Sequence, residues 1–489
     1  MQTVKPLDSA WRVSTGSWGE SRVFVALETA FIIFSILIFS RALVFSLLGA
    51  DTPAIATDMN SVVEEPAVIS QPKILWLYLA IYLGTGLLIL PRIRLILRAL
   101  RSEKYVALLL LLALLSSIWS TDPRETLAKS IALLACTLFG VQLAIRYNTR
   151  QQLQLFAAAF AVTIIVSIFV ALHVPQIGIM HGLHEGIWCG VFLHKNAMGS
   201  YMLLAGIVYF LLVAEAGKLR VLYHAAFWLA FALLTMSCAK SSLLSWMILF
   251  TLLGGYSVRI KKPLMATIAM VSVVLAASAF IVQYKYKVLP PILITQVASN
   301  VAKAGIDPAS VWANLVADFN TAQSNAPPGA FLATANGRLR LWGHLSEMIQ
   351  ERPLLGYGLG GFWRGMQGPS AYIWRLEPWR PPGAHNSFID VWLDLGVVGL
   401  GLLVMSIAAA LLGSVASLAR GALHVDALFP IATLIALCLA KVAESGLFGA
   451  NVLTWIILVT AVINAQKCRS RPAVLPPLPA LSEPASDPI

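Results

Sequence analysis

The stretch AHNSFIDVWLDLGVVGL sets His385 and Asn386 directly before a long apolar run, with Gly396 and Gly399 inside that run. An imidazole at such a junction can take a proton near neutral pH. The plainer reading is an asparagine that caps a helix beside an incidental histidine, with glycines that let helices approach closely. A second stretch, ANGRLRLWGHLSEMIQERPLLGYGLGGFW, carries Arg338 and Trp342 four residues apart, on one helix face. Arg340 is offset from Arg338 by about 200 degrees and points elsewhere. A guanidinium such as Arg338 has the planar fork that grips phosphate; the alternative is a solvated or lipid-facing arginine. The run from Gly356 through Gly358 to Gly361 superficially suggests a nucleotide loop, but it follows a helix and a proline rather than a strand. Glycines there are expected to allow a tight turn and close backbone approach.

Two more segments carry cations. Lys240 lies in MSCAKSSLLSW, between two apolar runs and flanked by Ser237, Ser241 and Ser242. A charge among apolar helices is costly and marks a functional position, unless it snorkels to the headgroups. The segment 173–196 holds His173, His181, His184, Glu185, His194 and Lys195. Its HGLHE spacing is not that of HExxH and no further ligand set is evident, so no metal site is expected. FLHKNAMGS reads as a re-entrant start to the next helix, with Lys195 and Asn196 at an N-terminus that attracts anions. Cations plus one histidine, with no matching pair of carboxylates, suit an anionic lipid-linked substrate better than glycoside hydrolysis by two acids.

The elements that must hold these residues are membrane helices. The chain is 58% hydrophobic and 12% charged, about half the charged share of a soluble domain. A run of roughly 20 apolar residues spans the hydrocarbon core. Twelve such runs are read, at about 24–49, 74–91, 105–120, 127–145, 153–173, 196–214, 221–237, 241–257, 264–284, 386–418, 425–443 and 447–465. The net charge of +12 then concerns topology rather than nucleic acid. Lys and Arg recur on every second connection: Lys5, Arg12 and Arg22; Arg92 to Lys104; Arg146 and Arg150; Lys218 and Arg220; Arg259 to Lys262; Arg420; and Lys467 to Arg471. The loop 50–73 is instead acidic, with Asp51, Asp58, Glu64 and Glu65. Positive connections stay on the cytoplasmic side. Both termini are therefore expected in the cytoplasm, and His385, Arg338, Lys240 and Lys195 on the far side of a bacterial inner membrane.

The expected order is a cytoplasmic segment 1–23, helices one to nine over 24–284, a large periplasmic loop 285–385, helices ten to twelve over 386–465, and a Pro-rich disordered tail 466–489. Residues 24–49 read as an uncleaved anchor, although small residues near Ala54 and Ala56 leave a cleaved signal open. A loop of about 100 residues is far above ordinary connection length. Leu341, Trp342, Leu345, Met348 and Ile349 predict an amphipathic helix within it, lying on the membrane surface. The five cysteines include no CxxC pair and read as small buried hydrophobes.

Taken together, the motifs resemble the O-antigen ligase and polysaccharide polymerase family of bacterial membrane glycosyltransferases. WSTDPRETL at 119–127 is similar to the family's outer turn after an early helix, and GVFLHKNAMGSYMLLA at 190–205 to the HKN segment of exopolysaccharide polymerases. GRLRLW with ERPLLGYGLGGFW resembles the Arg-to-Trp helix and PLLGxG turn. His385-Asn386, nine residues, Gly396, two residues and Gly399 match the His-Asn pattern. The resemblance covers roughly residues 100–450. It implies an all-α, C-type membrane glycosyltransferase fold acting on a glycan carried by undecaprenyl pyrophosphate, with no metal and no cofactor. Arg338 and Lys240 would stabilise the departing pyrophosphate, with Lys240 standing where ligases often have Arg, and His385 would ready the acceptor hydroxyl. Lys195, Arg340, Asn196, Asn386 and Trp342 would contact pyrophosphate or glycan. The expected activity is polymerisation of repeats into exopolysaccharide, with a flippase and a chain-length regulator as partners and no nucleic acid. A ligase transferring glycan to lipid A core or protein is the alternative. A twelve-helix transporter is the reading of a different class, and its paired halves and midplane charges are not evident.

Overall fold

Residues 22–41, 72–180, 186–215, 217–283, 330–377, 380–420 and 424–470 are described by a computed structural model. The order is α1 (Arg22–Phe39), α2 (Pro72–Ile89), α3 (Ile93–Ser102), α4 (Lys104–Leu115), α5 (Pro123–Arg146), α6 (Thr149–His173), α7 (Lys195–Glu215), α8 (Arg220–Met236), α9 (Lys240–Arg259), α10 (Pro263–Ile281), α11 (Ala330–Glu351), α12 (Ser370–Leu376), α13 (Ser387–Ala419), α14 (His424–Lys441) and α15 (Leu453–Arg469). Each expected span overlaps one of these helices, although residues 42–49 of the first lie outside the described residues and the last helix starts at Leu453 rather than 447. Eight helical stretches among the described residues are long and apolar enough to cross a membrane, and two shorter apolar helices, Lys104–Ile118 and Arg220–Met236, accompany them. The fold is an all-α polytopic membrane protein. Leu83, Ile118, Val221 and Leu412 stand well exposed on its outside, as hydrocarbon requires.

Local signals set the helix starts. Asp122 accepts the Glu125 amide at 3.0 Å and Pro123 opens α5. Asn148 and Gln151 exchange hydrogen bonds as a capping box at α6. At the centre lies α15, buried without a break from Leu453 to Ala465. Lipid tails are as apolar as leucine, so helices associate through close packing and polar links. A Cβ on Gly140 would come 2.9 Å from the Ile456 carbonyl, so α5 crosses α15 closely. Asn464 and Gln152 exchange amide hydrogen bonds at 2.6 and 3.3 Å, and Trp455 donates to Thr137 at 2.9 Å.

The two ends of the bundle differ. At one end Glu28, fully buried on α1, accepts Arg146 at 3.0 Å and Arg92 at 3.4 Å. At the other end of α5 the residues 330–386 build a subdomain. Leu341, Leu345 and Met348 of α11 bury against Tyr357, Phe362, Ile373 and Leu393. The apolar face of α11 therefore packs on its own subdomain, which corrects the expectation that this helix lies on the membrane surface. Residues 284–329 of the large loop, 1–21, most of the loop 50–73 and the tail beyond 470 lie outside the described residues.

Breaking a buried ion pair strands the remaining charge and costs about 3–5 kcal/mol. Glu28→Ala would leave Arg92 and Arg146 without their shared carboxylate. It is expected to lower the thermal unfolding midpoint of the detergent-solubilised protein clearly, and an unchanged midpoint would show that this cluster does not hold α1, α2 and α5 together.

Candidate functional site

Glu444, in the short segment between α14 and α15, gathers the site. Its Oε1 accepts the Asn196 amide at 2.6 Å and the Arg338 guanidinium at 3.0 Å. His385 Nδ1 lies 3.9 Å from Oε2. Burial favours the neutral acid, but the His385 imidazole and the Arg338 charge outweigh it, and the Glu444 carboxyl sits below its ordinary value. The segment is pinned by backbone: the Glu444 carbonyl accepts from the Ser387 amide at 3.2 Å and hydroxyl at 2.8 Å, and Ser387 Oγ accepts the Leu447 amide at 3.0 Å.

The cations arrive on helix starts. Lys195 opens α7 and Lys240 opens α9, and Lys195 lies within electrostatic range of Lys240, Glu444 and Arg338. Three helix N-termini, those of α7, α9 and α13, thus add their partial positive charge to the same region. His194 accepts the Asn196 amide through Nδ1 at 3.2 Å. Burial, then the neighbouring cations Lys195, His385 and Arg338 against the attraction of Glu444, push His194 down to about 4. It stays neutral at physiological pH.

His385 has left-handed backbone, φ 49°, a conformation costly for a residue with a side chain. Its neighbour Ala384 is clamped on both sides: the amide donates to Asp390 Oδ1 at 2.9 Å, and the carbonyl accepts Trp342 Nε1 at 2.8 Å. Asp390 also accepts Trp363 Nε1 at 3.0 Å. Asn386 caps α13, its side chain accepting the Phe388 amide at 3.0 Å and the Ile389 amide at 3.4 Å.

The glycines organise the frame. α13 is broken at Gly396, φ 66° and ψ −172°. A Cβ there would sit 2.0 Å from the Leu354 carbonyl. The Leu393 and Asp394 carbonyls accept the Tyr357 and Gly358 amides, both at 2.8 Å, and the Val397 amide donates to Pro353 at 2.9 Å. Gly356, φ 65°, and Gly358, φ 91°, make that turn, the tight approach read from sequence. Gly396 does more than ease helix packing, as sequence suggested: it opens the helix to receive the turn. The 119–127 segment closes over it, with Trp119 donating to Leu355 at 3.1 Å, Thr121 to Gly361 at 2.6 Å and Arg364 paired to Asp122 at 2.8 Å.

The structure brings together Arg338, His385, Lys195 and Asn196, with Lys240 near Lys195. It does not bring Arg340, which pairs with the buried Glu377 at 2.8 Å beside His344. Trp342 Nε1 and Asn386 Oδ1 are spent on backbone. His181, His184 and Glu185 lie outside the described residues. Glu444 was missed in sequence because the search there was for two facing acids; a lone acid in a short outer turn was the available signal. Asp390 was missed because it reads as one charge within an apolar run.

Fold and site together define a polytopic membrane protein with a charged cluster at one end of its helix bundle. Residues 225–404 match the family model described as O-antigen ligase. That stretch holds Lys240, Arg338, His385, Gly396 and Gly399, and leaves Lys195, Asn196 and Glu444 outside. A protein of Rickettsia conorii, named "Putative polysaccharide ligase", is 37% identical over 76 residues, 14% of this chain and 18% of that protein. The chain therefore matches less than a fifth of this relative's length. Both findings show similarity to O-antigen ligases over part of the chain.

A histidine whose folded pKa lies below the unfolded value costs stability when protonated. The unfolded chain binds the proton first, so stability falls as pH drops from about 6.5 toward about 4. His194→Asn is expected to flatten the unfolding midpoint across that window while wild type declines. Parallel profiles for the two proteins would show that His194 is not held neutral.

Proposed function

We propose that the chain is a membrane glycosyltransferase that joins undecaprenyl-pyrophosphate-linked oligosaccharide repeats into exopolysaccharide at the outer face of the bacterial inner membrane, on a C-type glycosyltransferase scaffold. The observation that carries this reading is the convergence of Arg338, Lys195 and His385 around Glu444, with Lys240 within electrostatic range of Lys195. As the glycosidic bond breaks, negative charge develops on the pyrophosphate. Fixed cations in a water-poor cavity stabilise that charge without reorganising. Arg338 presents one edge of its fork to Glu444 and has further N–H donors for a diphosphate oxygen. Glu444 Oε2 lies 3.9 Å from His385 Nδ1 and orients the ring, and the imidazole takes the acceptor hydroxyl's proton as that oxygen attacks the anomeric carbon. No metal or cofactor is required by these roles. The polyprenyl chain would run along the apolar outer faces of the helices. A flippase would supply the lipid-linked repeats and a chain-length regulator would act alongside.

The ligase alternative shares donor and leaving group and differs in acceptor. Cells lacking a polymerase keep single repeats on the carrier, whereas cells lacking a ligase keep long chains there. Long chains on the carrier in a deletion strain would replace the polymerase reading with the ligase one. Uptake or flipping by the purified protein without glycosyl transfer would replace both with a transporter.

His385→Ala and Arg338→Ala are each expected to lower polymer synthesis by at least about 100-fold, with normal protein levels. Wild-type yield from either removes that residue from the mechanism. Trp342→Phe keeps the ring but loses the N–H that holds Ala384. It is expected to reduce turnover several-fold, with a stability change within about 1.5 kcal/mol. Extension of lipid-linked repeats in vitro should persist in EDTA, and loss reversed by a divalent ion would contradict the metal-free scheme.

A further inference from the structure

The end of the bundle away from Glu444 carries a second charged feature with no part in this chemistry. Helix α3 links two membrane helices, α2 and α4, and its two faces are unlike. Arg92, Ile96, Ala99 and Glu103 recur at spacings of four, three and four residues and are buried. Arg92 on that face pairs with Glu28, and Glu103 accepts from Gln466 of α15. This side is therefore fastened to α1 and α15. Arg94, Arg98 and Arg101 form the other face and are exposed. Leu97 lies among them, 46% exposed. Among the described residues, Arg94, Leu97, Arg98, Arg101 and Ser102 line a pocket of about 370 Å³.

We infer that this face of α3 is a binding site for the headgroup of an anionic phospholipid. A helix fixed between two membrane helices lies at headgroup depth. Arginine stems reach along apolar surface while their guanidinium groups meet phosphate. An exposed leucine between arginines is unfavourable against water and favourable against the upper acyl chain, which argues for a lipid rather than a soluble anion. Among the described residues, the nearest carboxylate along the helix, Glu103, is turned inward, and Arg94 and Arg101 give the outward face its positive charge. Its spacing of four and three residues puts the three guanidinium groups on one stripe, where two can share one phosphodiester.

The test uses the intact purified protein and native mass spectrometry with phosphatidylglycerol and phosphatidylethanolamine at equal concentration. Wild type is expected to retain phosphatidylglycerol at least about fivefold over phosphatidylethanolamine. The variant R94Q/R98Q/R101Q should lose that preference, while R375Q/R380Q on the far subdomain keeps it. Arg98→Glu alone should reduce it, which covers poor folding of the triple variant. Equal retention of both lipids by wild type overturns the inference, as does a preference the triple variant keeps. Displacement of phosphatidylglycerol by inorganic phosphate at millimolar concentration would also overturn it, by showing a plain anion site.

Discussion

The Glu444 carboxylate is the interaction on which the site depends. It is bound by groups from three separate parts of the chain: Asn196 at the start of α7, Arg338 on α11, and His385 before α13. None of these segments is adjacent in sequence to the α14–α15 connection that carries Glu444. A buried carboxylate without partners would neutralise itself. With these partners it stays an anion, and the cations around it are in turn held by a fixed negative charge. The same anion offsets part of the positive charge that Arg338 and Lys195 bring to the cluster.

The imidazole's placement follows from backbone geometry more than from its own contacts. A left-handed residue between an alanine clamped at both peptide groups and an asparagine committed to capping has few ways to move. Trp342 and Asp390 act through Ala384, so their contribution is orientation. This explains why Arg338 and Trp342 lie on one face of α11: the first reaches the carboxylate and the second fixes the peptide that carries the histidine.

Much of this was legible in the residues. Apolar run length located the helices, and the motifs around Arg338 and His385 pointed to residues that the structure brings together. Three things were not legible. Glu444 is an isolated acid in a short connection, and its partners are more than 50 residues away along the chain, which no periodicity reports. Arg340 is near Arg338 in sequence, and helix geometry showed only that it points elsewhere, not that Glu377, which also contacts His344, receives it. The role of α11 could not be read either. Its apolar stripe fits a membrane surface and a protein surface equally well by pattern, and only the fold of residues 353–376 decides between them.

The break at Gly396 shows why the subdomain and the membrane helices behave as one frame. An interrupted helix in a bilayer releases amides and carbonyls that lipid cannot satisfy. Here the Leu393 and Asp394 carbonyls are taken by the amides of Tyr357 and Gly358, and the Val397 amide by the Pro353 carbonyl. The turn after α11 is thereby built into α13 by backbone hydrogen bonds. α11 meets α13 a second time through Trp342 and Ala384, ahead of the helix start. Two attachments fix a helix's direction where one leaves a pivot. Arg338 on α11 and His385 at the head of α13 are thus held in a common frame. The cost is an interrupted helix with a left-handed glycine at the break, and side-chain packing alone would not have required either.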